Sequence, residues 1–316
     1  MSNDNDEKST QSPSFSDLPM EIHSQILREL DPIHRLIVRN VSKRLRLIID
    51  NDSPRVNKII FYPIPTRLSI GLDNKFLDFY PKNDGCQIDF ENRSITLPDV
   101  AHHEMALNIL RPLFLNPKLR LQNLTMWCDC DVNYLIEFLT EIVTNSLKSP
   151  FHVQHLACSI TNPMKLPLIT ALFKPGILET IEIQGEDKYE NGIMDFLETS
   201  HFKKANVVNL YRCEPLNSSV IKRFLHLTSF EIRVRYVSIE DLRWLRKIIS
   251  RSTTFKKCAI NLFWPVKPEE VEKAFDAVIV YENDVCEYRY SIPNSSVFLR
   301  FVIDSNMIVV DRVMQE

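Results

Sequence analysis

The chain has 316 residues, of which 44% are hydrophobic and 25% charged, with a formal net charge of −3. Only five glycines occur, against roughly twenty-two at average usage, and no two are closer than Gly185 and Gly192, so G-x-G-x-x-G, G-x-x-x-x-G-K-[ST] and G-x-S-x-G cannot be written. The common nucleotide-dependent enzymes are thereby excluded, and so are a strongly basic nucleic-acid binder and any apolar run of the ~20 residues a membrane span needs.

Residues 1–14, built from Ser, Asn, Asp, Gln and Lys, are expected to be disordered and lack a signal peptide's apolar stretch. The odd total of seven cysteines predicts free thiols in a reducing, intracellular compartment, cytoplasmic or nuclear. At this length more than one folded unit is expected.

Three short helices are predicted over residues 15–52. Pro19 suits a first helical position, where its missing N–H costs nothing, and Glu21 complements the helix dipole. Ile22, Ile26, Leu27 and Leu30 mark one face at helical spacing. Asp31-Pro32 ends that helix and starts the next, with Asp31 as cap and Ile33, Leu36, Ile37 and Val41 as the apolar face. Ser42 is placed to cap a third helix carrying Leu45, Ile48 and Ile49. Arg28, Arg35, Arg39, Lys43, Arg44 and Arg46 are dense enough for a DNA-reading helix pair, but the glycine-containing turn is missing, and solvated helix faces explain them more simply.

The string Leu18-Pro19-x-Glu21-Ile22-x-x-x-Ile26-Leu27-x-x-Leu30-Asp31-Pro32, followed by Arg39-x-Val41-Ser42-Lys43-Arg44-Leu45-Arg46, resembles the F-box. That resemblance implies docking on a Skp adaptor and, through it, a cullin in a ubiquitin ligase. The positions matching the family's adaptor contact are Leu18, Pro19, Ile22, Ile26, Leu27, Leu30 and Val41. One departure is Leu45, where many F-boxes carry tryptophan.

Residues 55–118 read as a β-rich connector. Ile59/Phe61, Leu68/Ile70/Leu72, Phe76 to Tyr80, Cys86/Ile88/Phe90 and Ile95/Leu97 alternate with period two and are punctuated by turn residues, which predicts an antiparallel meander. A helix is expected from His102 to Leu115. The adjacent His102 and His103 point to different faces of it, unlike a metal-binding i, i+4 pair.

Residues 119–280 carry a longer period. Strand cores Leu124/Met126/Cys128, Leu156/Cys158/Ile160, Ile181/Ile183, Val208/Leu210, Phe230/Ile232/Val234 and Cys258/Ile260/Leu262 recur at spacings of 32, 25, 27, 22 and 28 residues, with helical stretches between them. This pattern predicts an irregular leucine-rich-repeat-like β/α solenoid, in which each unit buries its face on its neighbours. A doubly wound sheet is the alternative, but no phosphate-binding turn accompanies it.

Within this region His152-Val153-Gln154-His155-Leu156, Leu172-Phe173-Lys174-Pro175-Gly176-Ile177-Leu178-Glu179-Thr180-Ile181-Glu182-Ile183 and Thr254-Phe255-Lys256-Lys257-Cys258 are similar to the FTH domain. That domain is paired with F-boxes in the nematode F-box A type, a family implicated in substrate recognition for ubiquitylation. Residues 281–316 return to alternating β and are expected to form a C-terminal hairpin cap.

The search for chemistry finds little. Cys128-x-Cys130 with Asp129 and Asp131 lacks the second ligand pair of a zinc site, so no metal and no cofactor is expected. Glu186-Asp187 and Glu269-Glu270 read as solvated turn and helix-start charges. On the strand parity opposite the core lie Trp127, Ser159, Glu182, Asn209, Tyr211, Arg233, Arg235, Asn261 and Phe263. Of these Trp127, Tyr211, Arg233, Arg235 and Phe263 have the composition of a protein-binding surface and are the candidates for holding a target. The expected function is a non-catalytic substrate-recognition adaptor of a Skp–cullin–F-box ubiquitin ligase. The alternative is a scaffold or inhibitory binding protein, and a hydrolase is least favoured.

Overall fold

A computed structural model describes residues 15–127, 133–159, 165–185, 190–275, 281–282 and 285–314. Residues 1–14, Cys128 to Asp131, Ile160 and Glu186-Asp187 lie outside the described residues. The chain divides into two compact units, one ending at Arg55 and the other beginning at Val56.

The first unit holds α1 (Met20–Glu29), α2 (Pro32–Arg39) and α3 (Lys43–Asn51), preceded by a 3₁₀ turn at Phe15–Asp17. Two predicted caps are present. Asp31 Oδ1 accepts the His34 N–H at 3.0 Å, and Ser42 Oγ accepts the Leu45 N–H at 3.2 Å, each satisfying a donor that a helix start leaves unpaired. Pro19 stands one residue before α1 rather than inside it, and its carbonyl accepts the N–H groups of Ile22 and His23. Leu27, Leu45 and Ile48 make the core of the unit, with Leu30, Val38 and Ile49 packed against it. Arg35, expected on a solvated face, is instead buried, because Asp52 at the end of α3 receives its guanidinium.

In the second unit every strand among the described residues joins one mixed sheet of fifteen strands. The strands β1 (Lys58–Ile64), β2 (Arg67–Leu72), β3 (Lys75–Lys82), β4 (Gly85–Phe90) and β5 (Arg93–Pro98) form the predicted antiparallel meander. Helix α4 (His102–Phe114) follows, with Ala106, Leu107, Leu110 and Phe114 buried. Then come β6 (Arg120–Met126), α5 (Asn133–Glu141), β7 (His152–Ser159), α6 (Leu166–Ala171), β8 (Thr180–Gln184), α7 (Glu190–Glu198), α8 (Ser200–Lys204) and β9 (Val207–Tyr211). After these lie β10 (Ser229–Val234), α9 (Ile239–Arg251), β11 (Lys257–Leu262) and α10 (Pro268–Phe275). The chain closes with β12 (Tyr281–Glu282), β13 (Val285–Ser291), β14 (Val297–Ile303) and β15 (Met307–Met314).

Strands β6 to β11 are parallel, and each lies beside its chain neighbour. A doubly wound sheet would reverse that order at a switch point. The segment expected as a connector is continuous with this array, since β1 pairs in parallel with β6. At the other end β15 pairs antiparallel with β11 and thereby covers its edge. The described strands of the meander, the parallel array and the C-terminal segment thus share one sheet.

A hydrogen-bond motif repeats along the array. The N–H groups of Gln122 and Asn123 both donate to Asn57 O, those of Asn206 and Val207 to Glu179 O, those of Thr228 and Ser229 to Asn206 O, and those of Lys256 and Lys257 to Thr228 O. Strands β6, β9, β10 and β11 therefore start with the same shared-carbonyl pattern, and the last three of these starts sit 22 and 28 residues apart, matching the last two sequence spacings. Beneath the sheet phenylalanines touch from repeat to repeat, as in Phe202–Phe224, Phe224–Phe230 and Phe230–Phe255, with ring centroids 5.1, 5.4 and 6.5 Å apart. A unit that cannot bury its own apolar face does so on the next one.

Candidate partner-binding surfaces

On the helical unit the seven predicted contact residues separate into two groups. Leu27 is only 2% exposed and points into the core, so it holds the helices together and presents no contact surface. Its place at i+1 from Ile26 on α1 turns it inward. Ile22, Ile26 and Val41 are exposed, Val41 by 71%, and Pro19 is exposed beside them in sequence. Leu18 and Leu30 are half-buried, and the Leu18 carbonyl accepts a hydrogen bond from Arg44 Nη2 at 3.0 Å. Met20 and Leu47, which no motif position marks, are also exposed apolar residues, as is Ile37 from the apolar face of α2. Leu45, at the position of the family's tryptophan, is in the interior. Few apolar side chains are buried in this unit, and many are left in water. That combination marks a surface made for a partner.

On the sheet the five target candidates are not one cluster. Arg233, Arg235 and Phe263 come together at the ends of β10 and β11, where the Arg233 guanidinium lies 5.4 Å from the centre of the Phe263 ring. Tyr211, at the end of β9, is half-buried, and burial together with the charges of Glu182 and Glu231 pushes its phenol pKa above the usual value. Trp127 follows β6, with β7, β8 and β9 between it and β10. At ~4.8 Å per strand this removes it from the Phe263 cluster by some 20 Å.

Two residues that strand parity could not reveal complete the cluster. Tyr236 and Trp264 sit just past the ends of β10 and β11, and both are exposed, Trp264 by 62%. The Trp264 ring meets Phe263 edge-on at 5.2 Å. Backbone bonds hold this ledge from both sides. Phe263 and Trp264 N–H groups donate to Val234 O and Arg235 O at 2.9 and 2.8 Å, while Leu216 N–H donates to Arg233 O and Arg235 N–H to Leu216 O at 2.9 and 2.8 Å. Arg235 Nε also donates to Pro215 O at 3.2 Å. Aromatic anchors on so fixed a backbone lose little freedom when a partner covers them.

With these surfaces located, the comparisons fall into place. An F-box domain model matches residues 15–57 and an FTH domain model matches residues 134–278. Together these matches give the chain the architecture of an F-box followed by an FTH domain. No curated protein and no solved structure matches it. The F-box is the first helical unit, and the FTH match starts in α5 and runs through β11 and α10. An F-box points to the general role of a substrate-recognition adaptor in a Skp–cullin ubiquitin ligase, and both domains are typically non-catalytic.

Among the described residues no group of His, Cys, Asp and Glu is arranged to hold a metal ion. Cys86, Cys158, Cys213, Cys258 and Cys286 are buried free thiols, while the Cys128-x-Cys130 cluster lies outside the described residues. Glu270 Oε2 accepts the Lys267 N–H at 3.1 Å and so serves the start of α10. His102 and His103 stack edge-to-face, and burial, followed by the charge of His103, lowers the His102 pKa. No helix of the described residues is long and apolar enough to cross a membrane.

Proposed function

We propose that this chain is the substrate-recognition adaptor of a Skp–cullin–F-box ubiquitin ligase. Its F-box would bind a Skp-type adaptor through Ile22, Ile26 and Val41, flanked by Leu18, Pro19 and Leu30, and the cullin would join through that adaptor. The FTH region would hold a target protein on the ledge of Arg233, Arg235, Tyr236, Phe263 and Trp264, with Tyr211 and Trp127 further along the array. In this reading residues 119–280 are an irregular leucine-rich-repeat-like solenoid, a reading supported by the parallel, unreversed order of β6 to β11. The chain carries no cofactor, acts inside the cell in cytoplasm or nucleus, and performs no chemistry itself. Tethering a target beside the ubiquitin-charged enzyme raises the effective concentration of its lysines and makes the transfer intramolecular.

The observation that carries the reading is the exposed apolar set on a helical unit that an F-box model matches. Co-expression with a Skp-type adaptor tests it. Wild type should co-purify, and Ile22→Asp with Val41→Asp should abolish the complex while α1 to α3 stay helical, since neither side chain is in the core. Absence of a complex with wild type would end the ligase reading. Trp264→Ala with Tyr236→Ala should leave the adaptor bound and lower ubiquitin transfer to a captured target. Capture without transfer once the cullin is added would favour the scaffold reading.

A further inference from the structure

Among the described strands β5 ends the sheet, with β4 as its single neighbour. Its outer edge can be read from the ladder. Asp99 N–H donates to Asp84 O at 2.9 Å, which makes Asp84 and Asp99 a hydrogen-bonded pair of the antiparallel β4–β5 register. Such pairs alternate, so Leu97, Ile95 and Arg93 turn their backbone groups toward β4. Ser94 and Thr96 then turn both N–H and C=O outward, while Pro98 offers a carbonyl alone.

A row of alternating donors and acceptors fits one kind of occupant, an extended backbone. We propose that the occupant is β5 of a second copy, paired antiparallel about a two-fold axis through Ile95. In that register Ser94 faces Thr96 of the other copy and Thr96 faces its Ser94, which satisfies four outward donors and four outward acceptors in four bonds, two in each symmetry-related pair. Shifting by one hydrogen-bonded pair toward the C-terminus would oppose Ser94 to Pro98, which has no N–H, so the proline selects the register. Ile95 lies on the axis opposite its own counterpart, in a non-hydrogen-bonded pair where side chains approach closest. It is 61% exposed, a large apolar side chain at the middle of a strand whose edge-blunting residues, Arg93 and Pro98, stand at its two ends. The contact is isologous and closed, so it yields a dimer and no filament.

Two strands bury little area, so the dimer is expected to be weak and concentration-dependent. Sedimentation velocity of the full chain from about 5 to 200 µM should show reversible association in the range of weak complexes. Thr96→Pro removes an N–H that the β4 ladder does not use, at a position where edge strands tolerate proline, and by symmetry deletes two bonds at once. It should weaken association roughly tenfold or more with an unchanged melting midpoint. Ile95→Cys should form a cross-linked dimer under mild copper oxidation, because non-hydrogen-bonded partners stand close enough for a disulfide. Ser94→Cys, displaced from the axis, should cross-link much less. A chain that stays monomeric with no Ile95→Cys cross-link overturns the proposal. So does association that Thr96→Pro leaves unchanged, or a Ser94→Cys cross-link as fast as that of Ile95→Cys. Should Thr96→Pro fail to fold, the cysteine pair still decides.

Discussion

Arg35 and Asp52 form an ion pair that ties the middle of α2 to the residue capping α3, with Nη2 3.0 Å from Oδ2 and the arginine side chain 6% exposed. Arg28 approaches the same carboxylate at 3.7 Å. A buried guanidinium is tolerated only with such a partner, and Nη1 finds none among the described residues. Asp52→Asn keeps the shape and removes the charge, so it should destabilise the F-box by about 2 kcal/mol, read as faster hydrogen exchange of α2 and α3 amides.

The same pair sets a pH dependence. Burial raises the Asp52 pKa, but the Arg35 hydrogen bond and charge, the Ser53 N–H and Arg28 outweigh it and hold the carboxyl below its ordinary value. Its stabilisation is therefore complete above the unfolded aspartate value of about 4 and is lost as pH falls through the depressed folded value. Protection of the α2 and α3 amides, taken relative to their intrinsic exchange rate at each pH, should hold steady from neutrality to about pH 5 and fall below about pH 4. The Asp52→Asn variant should lose the part of this acid sensitivity that Asp52 supplies.

Gly85 opens β4 with φ of +150°, and a Cβ there would meet the Leu97 carbonyl oxygen at 2.0 Å. That oxygen belongs to backbone and cannot swing away. Gly85→Ala should cost about 2 kcal/mol or more and loosen β5 first. The check is early exchange of the β5 amides, with β6 to β11 protected as in wild type.

His201 and His226 perform the same task one repeat apart. His201 Nε2 lies 2.8 Å from Phe173 O and His226 Nε2 lies 2.9 Å from Phe202 O, each bonding a carbonyl of the preceding repeat. The first contact is buried and the second more open to water. His201→Leu should therefore cost about 1–3 kcal/mol in a denaturant titration, and His226→Leu about 1 kcal/mol or less. Equal costs would contradict the role assigned to burial.

Cys158 is fully buried on β7, and burial, with a smaller contribution from Cys213, pushes its thiol pKa up to about 12. It should escape alkylation in the native protein at pH 8 and react only on unfolding, as site-resolved mass spectrometry would show. The folded state keeps this proton where the unfolded chain releases it. Stability from this thiol is therefore complete below about pH 8.5 and declines as pH rises toward 12.

Much of the fold was legible because it is written locally. The meander, α4 and the strands β6 to β11 followed from period two and period 3.6, and the caps Asp31 and Ser42 from a short polar side chain before an apolar run. The last two spacings of the strand cores, 22 and 28 residues, recur between the shared-carbonyl starts of β9, β10 and β11. What failed was the assignment of faces on short helices. Leu27 and Ile26 are neighbours in sequence, yet one is core and the other is surface, and a three-helix unit has too few turns for periodicity to separate them.

The sequence by itself determined where chain segments become helices and strands, and the absence of glycine-rich loops that ruled out a phosphate cradle. Those outcomes depend on residues within a few positions of one another. Only the tertiary structure decided that Arg35 is buried, that the meander and the repeats share one sheet, that Tyr236 and Trp264 join Phe263 at a strand end, and that β5 is left as an edge. Each of these depends on which distant segment becomes a neighbour. That is set by how unpaired backbone and apolar faces find cover across the whole chain, and no local pattern encodes it.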